Sequence, residues 1–172
     1  FTPRKYIYTF AMTPTIDCFA PYISEEHNHT LSHTLAGNPI LSIFPIHTEA
    51  EKGAPFIPIE RNLSTEELKS IAERCSADYI LLYTHAGDLH LGYRALERML
   101  RTATESRADW VYSNYHVVRQ GATLAVPTNE YQEGSLRDDF DFGPLVMIRT
   151  EALRGFLATN PEEMQHAALY QL

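Results

Sequence analysis

Two hydrophobic spacings alternate along the chain, one suited to strands and one to helices. The run "KYIYTFAM" (residues 5–12) is rich in aromatic and β-branched side chains and ends at a Thr-Pro pair, which predicts a strand leading into a loop. "PYISEEHNHTLSHTLAG" follows, with Pro21 suited to a first helical position, acids in the opening turn and Gly37 as a stop, so a helix is predicted. "PILSIFPIHTE" reads as a second strand, and "APFIPIER" as a short third one that its prolines push towards an edge or an extended loop.

The middle of the chain gives the clearest patterns. In "LSTEELKSIAERC", Ser64 stands three residues before Glu67 as a capping box, and Leu68, Ile71, Ala72 and Cys75 mark one helical face. "DYILLYT" (78–84) is a short apolar run between polar residues, the pattern of a strand buried on both faces and therefore central. A helix over 92–106 follows, with Leu96, Met99, Leu100 and Ala103 on one stripe and Glu97 and Arg101 as an exposed i,i+4 pair. "DWVYSNYHVV" reads as a strand, 119–143 as irregular, "PLVMIRT" as a strand and "TEALRGF" as a short helix; Asn160 and Pro161 then open a last helix. Strand and helix alternate, so the expected fold is α/β, a mainly parallel sheet flanked by helices in one domain spanning 1–172.

Composition narrows the function classes. The chain has 172 residues, 44% of them hydrophobic, enough for one core. Its 14 basic and 22 acidic residues give a net charge of −8 with no clustered basic stripe, which argues against nucleic acid as a partner. Cys18 and Cys75 match no metal or redox spacing and point to a reducing, cytoplasmic setting. No apolar window reaches the length of a membrane span, so no transmembrane segment is expected. The chain opens on Phe1, and the last helical pattern runs to Leu172 without a stop, so a domain cut at both ends is expected.

In open α/β sheets ligands bind beyond the carboxyl ends of the strands. "YTHAGDLHLG" places Thr84, His85, Asp88 and His90 directly after the most buried strand, where they can converge on a ligand or a cation. A hard cation accompanying phosphates would use Asp88, because it prefers carboxylate oxygen. "VYSNYH" supplies Ser113, Asn114, Tyr115 and His116 as hydrogen-bonding groups, although alternation leaves open which face of that strand points inward. In "HNHTLSH", His29 and His33 are four apart and would share a helix face, but no Cys or Glu completes a zinc signature, and a solvated face is the preferred reading. No Gly-x-Ser-x-Gly elbow and no Gly-rich phosphate loop occur. The acidic run "SLRDDFDFG" (135–143) packs Asp138, Asp139 and Asp141 beside Arg137, Phe140 and Phe142; it is either a site or a structural corner with its phenylalanines turned inward.

Taken together, "ADYILLYTHAGDLHLGYRALERMLRTATESRADWVYSNYH" and "YQEGSLRDDFDFGPLVMIRTEALRGF", within residues 77–156, resemble the family 2 glycosyltransferases, in particular a bacterial subgroup with this acidic turn. The resemblance implies a GT-A-like (Rossmann-like) fold and transfer of a sugar from a nucleotide-diphosphate sugar to a glycan or lipid-linked acceptor. It implies donor binding by Thr84, His85 and Asp88, acceptor binding by Asn114, Arg137 and Asp138, a catalytic base at Asp139 or Asp141, and Mn²⁺ or Mg²⁺ held through Asp88 and His90. The chain also departs from the family pattern. Thr84-His85-Ala86 stands where the Asp-x-Asp metal motif is expected, Asn114 where the subgroup often has Asp, and His166 and Ala167 near the place of the usual Glu-Asp base pair. The alternative consistent with these departures is a catalytically inactive nucleotide-sugar or glycan-binding module of the same fold. A metal-dependent hydrolase using His85 and His90 has only composition behind it.

Overall fold

Residues 13–46, 63–85, 87–128, 140–160, 163–165 and 168–171 are described by the structure, a computed structural model. Within them the first strand is β1, Ile16–Pro21, every residue of it buried. Its sequence, "IDCFAP", hides it, because a strand interior rarely holds an acid and ends on proline. Burial of Asp17 is made possible by the turn before the central strand: Oδ2 of Asp17 accepts from the Ser76 amide (2.7 Å), the Ser76 hydroxyl (3.2 Å) and the Ala77 amide (3.1 Å). The strand expected at 5–12 and the one expected in "APFIPIER" lie outside the described residues.

Helix α1, Glu25–Leu35, starts later than Pro21 would place it, because the Ser24 side chain accepts from the His27 amide and caps it there. Strand β2, Ile40–Ile46, and helix α2, Thr65–Arg74, follow; α2 opens on the expected reciprocal Ser64/Glu67 box. Strand β3, Tyr79–Tyr83, is wholly buried, and helix α3, Ala95–Ser106, buries the expected stripe of Leu96, Met99, Leu100 and Ala103. On its exposed side the ion pair joins Glu97 to Arg94 and not to Arg101. The single strand expected from "DWVYSNYHVV" is two: β4, Trp110–Tyr112, and β5, Tyr115–Arg119, which turns away to pair with β6, Ala122–Val126, in an antiparallel ribbon. Gln120 and Gly121, both at positive φ (50° and 79°), make the turn of that ribbon. Strand β7, Leu145–Arg149, runs into helix α4, Thr150–Thr159. Asn160 ends α4 as its C-cap, and the last helix is reduced, among the described residues, to a 3₁₀ turn at Ala168–Gln171.

The main sheet has the order β2-β1-β3-β7-β4. Strands β1, β2 and β3 are parallel, whereas β7 is antiparallel to both neighbours, β3 and β4. The sheet is therefore mixed rather than simply mainly parallel. Local pattern could not reveal this, since a buried apolar strand looks the same in either direction. Alternation along β3 feeds two cores: Ile80 and Leu82 meet α2 and α4 through Leu68, Ile71 and Leu153, while Tyr79, Leu81 and Tyr83 meet α1 and α3 through Leu31, Leu35, Leu96 and Leu100. The result is an α/β/α layering with β3 in the middle of the sheet.

Candidate functional site

Because β1, β2 and β3 run the same way and β7 runs against β3, the edge beyond Tyr83 combines the carboxyl end of β3 with the amino end of β7. Thr84 sits at that junction, almost fully buried. Its amide donates to the Pro144 carbonyl (2.9 Å) and its hydroxyl to the Gly143 carbonyl (3.2 Å), so the two chain segments are laced together. Gly143 has to be glycine here: its φ is +79°, and a Cβ would stand 3.0 Å from the Ser113 carbonyl oxygen and 3.2 Å from the Tyr115 ring.

His85 follows, half-buried, with Nδ1 2.9 Å from the Thr84 hydroxyl oxygen. A hydroxyl has one proton, and that of Thr84 is given to Gly143. The Thr84 oxygen therefore accepts from His85, whose proton rests on Nδ1 and whose Nε2 keeps its lone pair. Burial pushes the His85 pKa down from its ordinary value, with the Asp141 carboxylate acting in the opposite direction, so the ring is neutral at pH 7. Tyr115 lies beside it, ring centres 6.0 Å apart.

Asp141 is the described part of the expected acidic site. Its Oδ2 accepts from the Tyr115 hydroxyl (2.8 Å) and its Oδ1 from the Gly143 amide (2.7 Å). Asp141 thus orients Tyr115 and Gly143 and places its charge beside His85. The flanking Phe140 and Phe142 turn inward against Trp110 and Tyr112, with centroid separations of 4.9 Å for Trp110–Phe142 and 6.1 Å for Tyr112–Phe140. Within residues 140–143 the two phenylalanines face the core, and Asp141 between them faces Tyr115. Arg137, Asp138 and Asp139 lie outside the described residues, as do His166 and Ala167. Asn114 is close by but occupied: its Oδ1 accepts from the Thr128 amide (2.8 Å) and hydroxyl (2.9 Å), bracing the chain where β4 gives way to β5.

Asp88 and His90 form a separate branch. Both are exposed, and Asp88 lies near enough to the Tyr83 hydroxyl to help burial raise that phenol to about 12. The Tyr83 hydroxyl donates to the Gly87 carbonyl (2.6 Å), and His27 Nε2 reaches the same oxygen at 2.9 Å. Among the described residues no three His, Cys, Asp or Glu side chains gather as a metal group. Asp88 is the one carboxylate of the expected Asp88–His90 pair, and a hard cation held there would draw its other oxygens from water and substrate phosphate. Of the expected site residues, Thr84, His85 and Asp141 come together through Gly143 and Tyr115, Asn114 holds Thr128, and Asp88 lies by the Tyr83 hydroxyl.

Gly143 is the participant that the sequence pattern did not mark, and Tyr115 was marked without a partner. Tyr115 was visible only as one polar group at a strand end, and the partner that orients it is 26 residues away. Comparison with family models, with curated proteins and with solved structures found no match to this chain. No helix among the described residues is long and apolar enough to cross a membrane.

Proposed function

We propose that this chain is a glycosyltransferase-like domain of GT-A type, binding a nucleotide-diphosphate sugar and a glycan or lipid-linked acceptor at the edge beyond β3, with His85 Nε2 as the base that receives the acceptor hydroxyl proton. The observation that carries the reading is the Thr84–His85 hydrogen bond beside the Asp141–Tyr115 pair, on the edge where an α/β sheet binds ligands. A neutral imidazole with a free Nε2 lone pair is suited to general-base work near pH 7. Thr84 sets its tautomer, and Asp141 stabilises the imidazolium that proton transfer creates. No step of this scheme passes through a divalent cation.

The second reading, a binding module that has lost transfer, draws on the lack of a metal group among the described residues. Thermal-shift titration with UDP, GDP and their sugar conjugates, with and without Mn²⁺, is paired with an assay for released nucleotide. Metal-independent stabilisation with nucleotide release that His85→Gln abolishes supports the transferase. Stabilisation without release supports the module, and no stabilisation by any nucleotide defeats both.

A further inference from the structure

Helix α1 carries a pair of histidines that the site beyond β3 does not use. Leu31 and Leu35 anchor α1 to the core, and His29 and His33, four residues apart, are both exposed. Their rings are in contact, centroids 4.5 Å apart with an interplanar angle of 61°. That separation can be compared with what a shared ion demands. With a metal–nitrogen bond of about 2.1 Å, each ring centre lies about 3.2 Å from the ion, so two imidazoles at a right angle have centres about 4.5 Å apart, and at the tetrahedral angle about 5.2 Å. At 4.5 Å the two rings are close enough for one ion to bridge them.

We infer that His29 and His33 form a two-imidazole chelate on the exposed face of α1 for a late first-row divalent ion of tetragonal or octahedral preference, Cu²⁺ before Ni²⁺. Imidazole nitrogen suits these ions, and Cu²⁺ heads the affinity order for a given nitrogen site. No third His, Cys, Asp or Glu joins the pair among the described residues, so water fills the remaining positions and the ion stays open to solvent. Zn²⁺ follows Cu²⁺ in the same order and is the weaker binder. The helix is already fixed by its Ser24 cap and by its buried leucines, so the two donors are held in register before an ion arrives. This inference is independent of the transferase reading, since neither histidine belongs to the site beyond β3.

The test is a calorimetric titration of the full chain with CuSO₄, NiCl₂ and ZnCl₂, repeated on His29→Gln, His33→Gln and the control His116→Gln. About one Cu²⁺ per chain is expected, with affinity falling roughly tenfold or more in either α1 variant and unchanged in the control. Electron paramagnetic resonance of the copper form should show two equivalent nitrogen ligands in the parent protein and one in each α1 variant. Both glutamines are exposed and helix-compatible, and far-UV circular dichroism checks that α1 survives. Equal Cu²⁺ affinity in the parent and in both α1 variants overturns the site. Zn²⁺ binding as tight as Cu²⁺ overturns the ion preference assigned to it.

Discussion

The Tyr115–Asp141 hydrogen bond is where the site is most open to a quantitative challenge. The two residues belong to segments 26 positions apart, and the bond is 2.8 Å long between a phenol and a carboxylate. Hydrogen bonds to a charged acceptor contribute about 1.5–3 kcal/mol, and their partners couple when both are replaced. Tyr115→Phe removes one donor and leaves Asp141 the Gly143 amide, so a loss of about 1.5 kcal/mol is expected. Asp141→Ala removes the acceptor shared by the Tyr115 hydroxyl and the Gly143 amide, so the loss should be about 3 kcal/mol or more. The double variant should fall short of the sum by about 1.5 kcal/mol, the coupling that belongs to the shared bond. Urea denaturation followed by tyrosine and tryptophan fluorescence measures all four proteins of the cycle. A second readout separates a site role from a purely structural one: with the carboxylate gone, the His85 ring should titrate lower still, because Asp141 is what holds its pKa up against burial. Additive losses within about 0.5 kcal/mol, or a His85 resonance whose titration ignores Asp141, would refute the geometry on which the proposed base depends.

Three further outcomes rest on the same structure. Gly143→Ala should cost about 2 kcal/mol or more in urea unfolding, since alanine at φ +79° is strained and its Cβ would meet the Ser113 carbonyl at 3.0 Å; a loss below about 0.5 kcal/mol would show that the corner relaxes freely. His85 has a folded pKa depressed below 6.5, so its contribution to stability is present above pH 6.5 and lost as pH falls through the folded value; His85→Gln should flatten that loss, as read from urea midpoints between about pH 7 and pH 5. Burial pushes the Cys18 thiol up to about 12, so alkylation by iodoacetamide at pH 8 should require unfolding, and rapid modification of the native chain would contradict its placement in β1.

How much of this was legible depends on whether the cause was local. The capping box at Ser64 and the buried run of β3 are written within a few residues, and both formed as the pattern predicts. β1 was missed because Asp17 is tolerated only through donors from residues 76 and 77, about sixty positions away. The break of "DWVYSNYHVV" at Ser113 and Asn114 has a tertiary cause as well: Asn114 is held by Thr128, after which β5 pairs with β6 instead of the main sheet. The antiparallel sense of β7 carries no local signature, yet it decides the site, because it brings Gly143 and Asp141 to the edge where β3 ends. The strand-end rule points to Thr84 and His85 as candidates; only the tertiary contacts show that Asp141 bonds Tyr115 and Gly143 beside them.

That difference bears on the choice between a transferase and a binding module. A carboxylate that holds the Tyr115 hydroxyl and the Gly143 amide is a compromised base, because taking a proton removes the charge that strengthens both hydrogen bonds. An imidazole whose Nδ1 proton is held by Thr84 has no such conflict, since Nε2 can gain and release a proton without breaking the bond that orients the ring. The Asp141 charge, which opposes the effect of burial on His85, also lowers the cost of the imidazolium as it forms. A module that only held a sugar would need hydrogen-bonding groups at this edge, but it would not need one ring nitrogen kept basic and the other tied down. The Thr84–His85 arrangement is therefore the feature that favours transfer over binding alone, and the loss of nucleotide release in His85→Gln with donor binding retained is the result that separates the two.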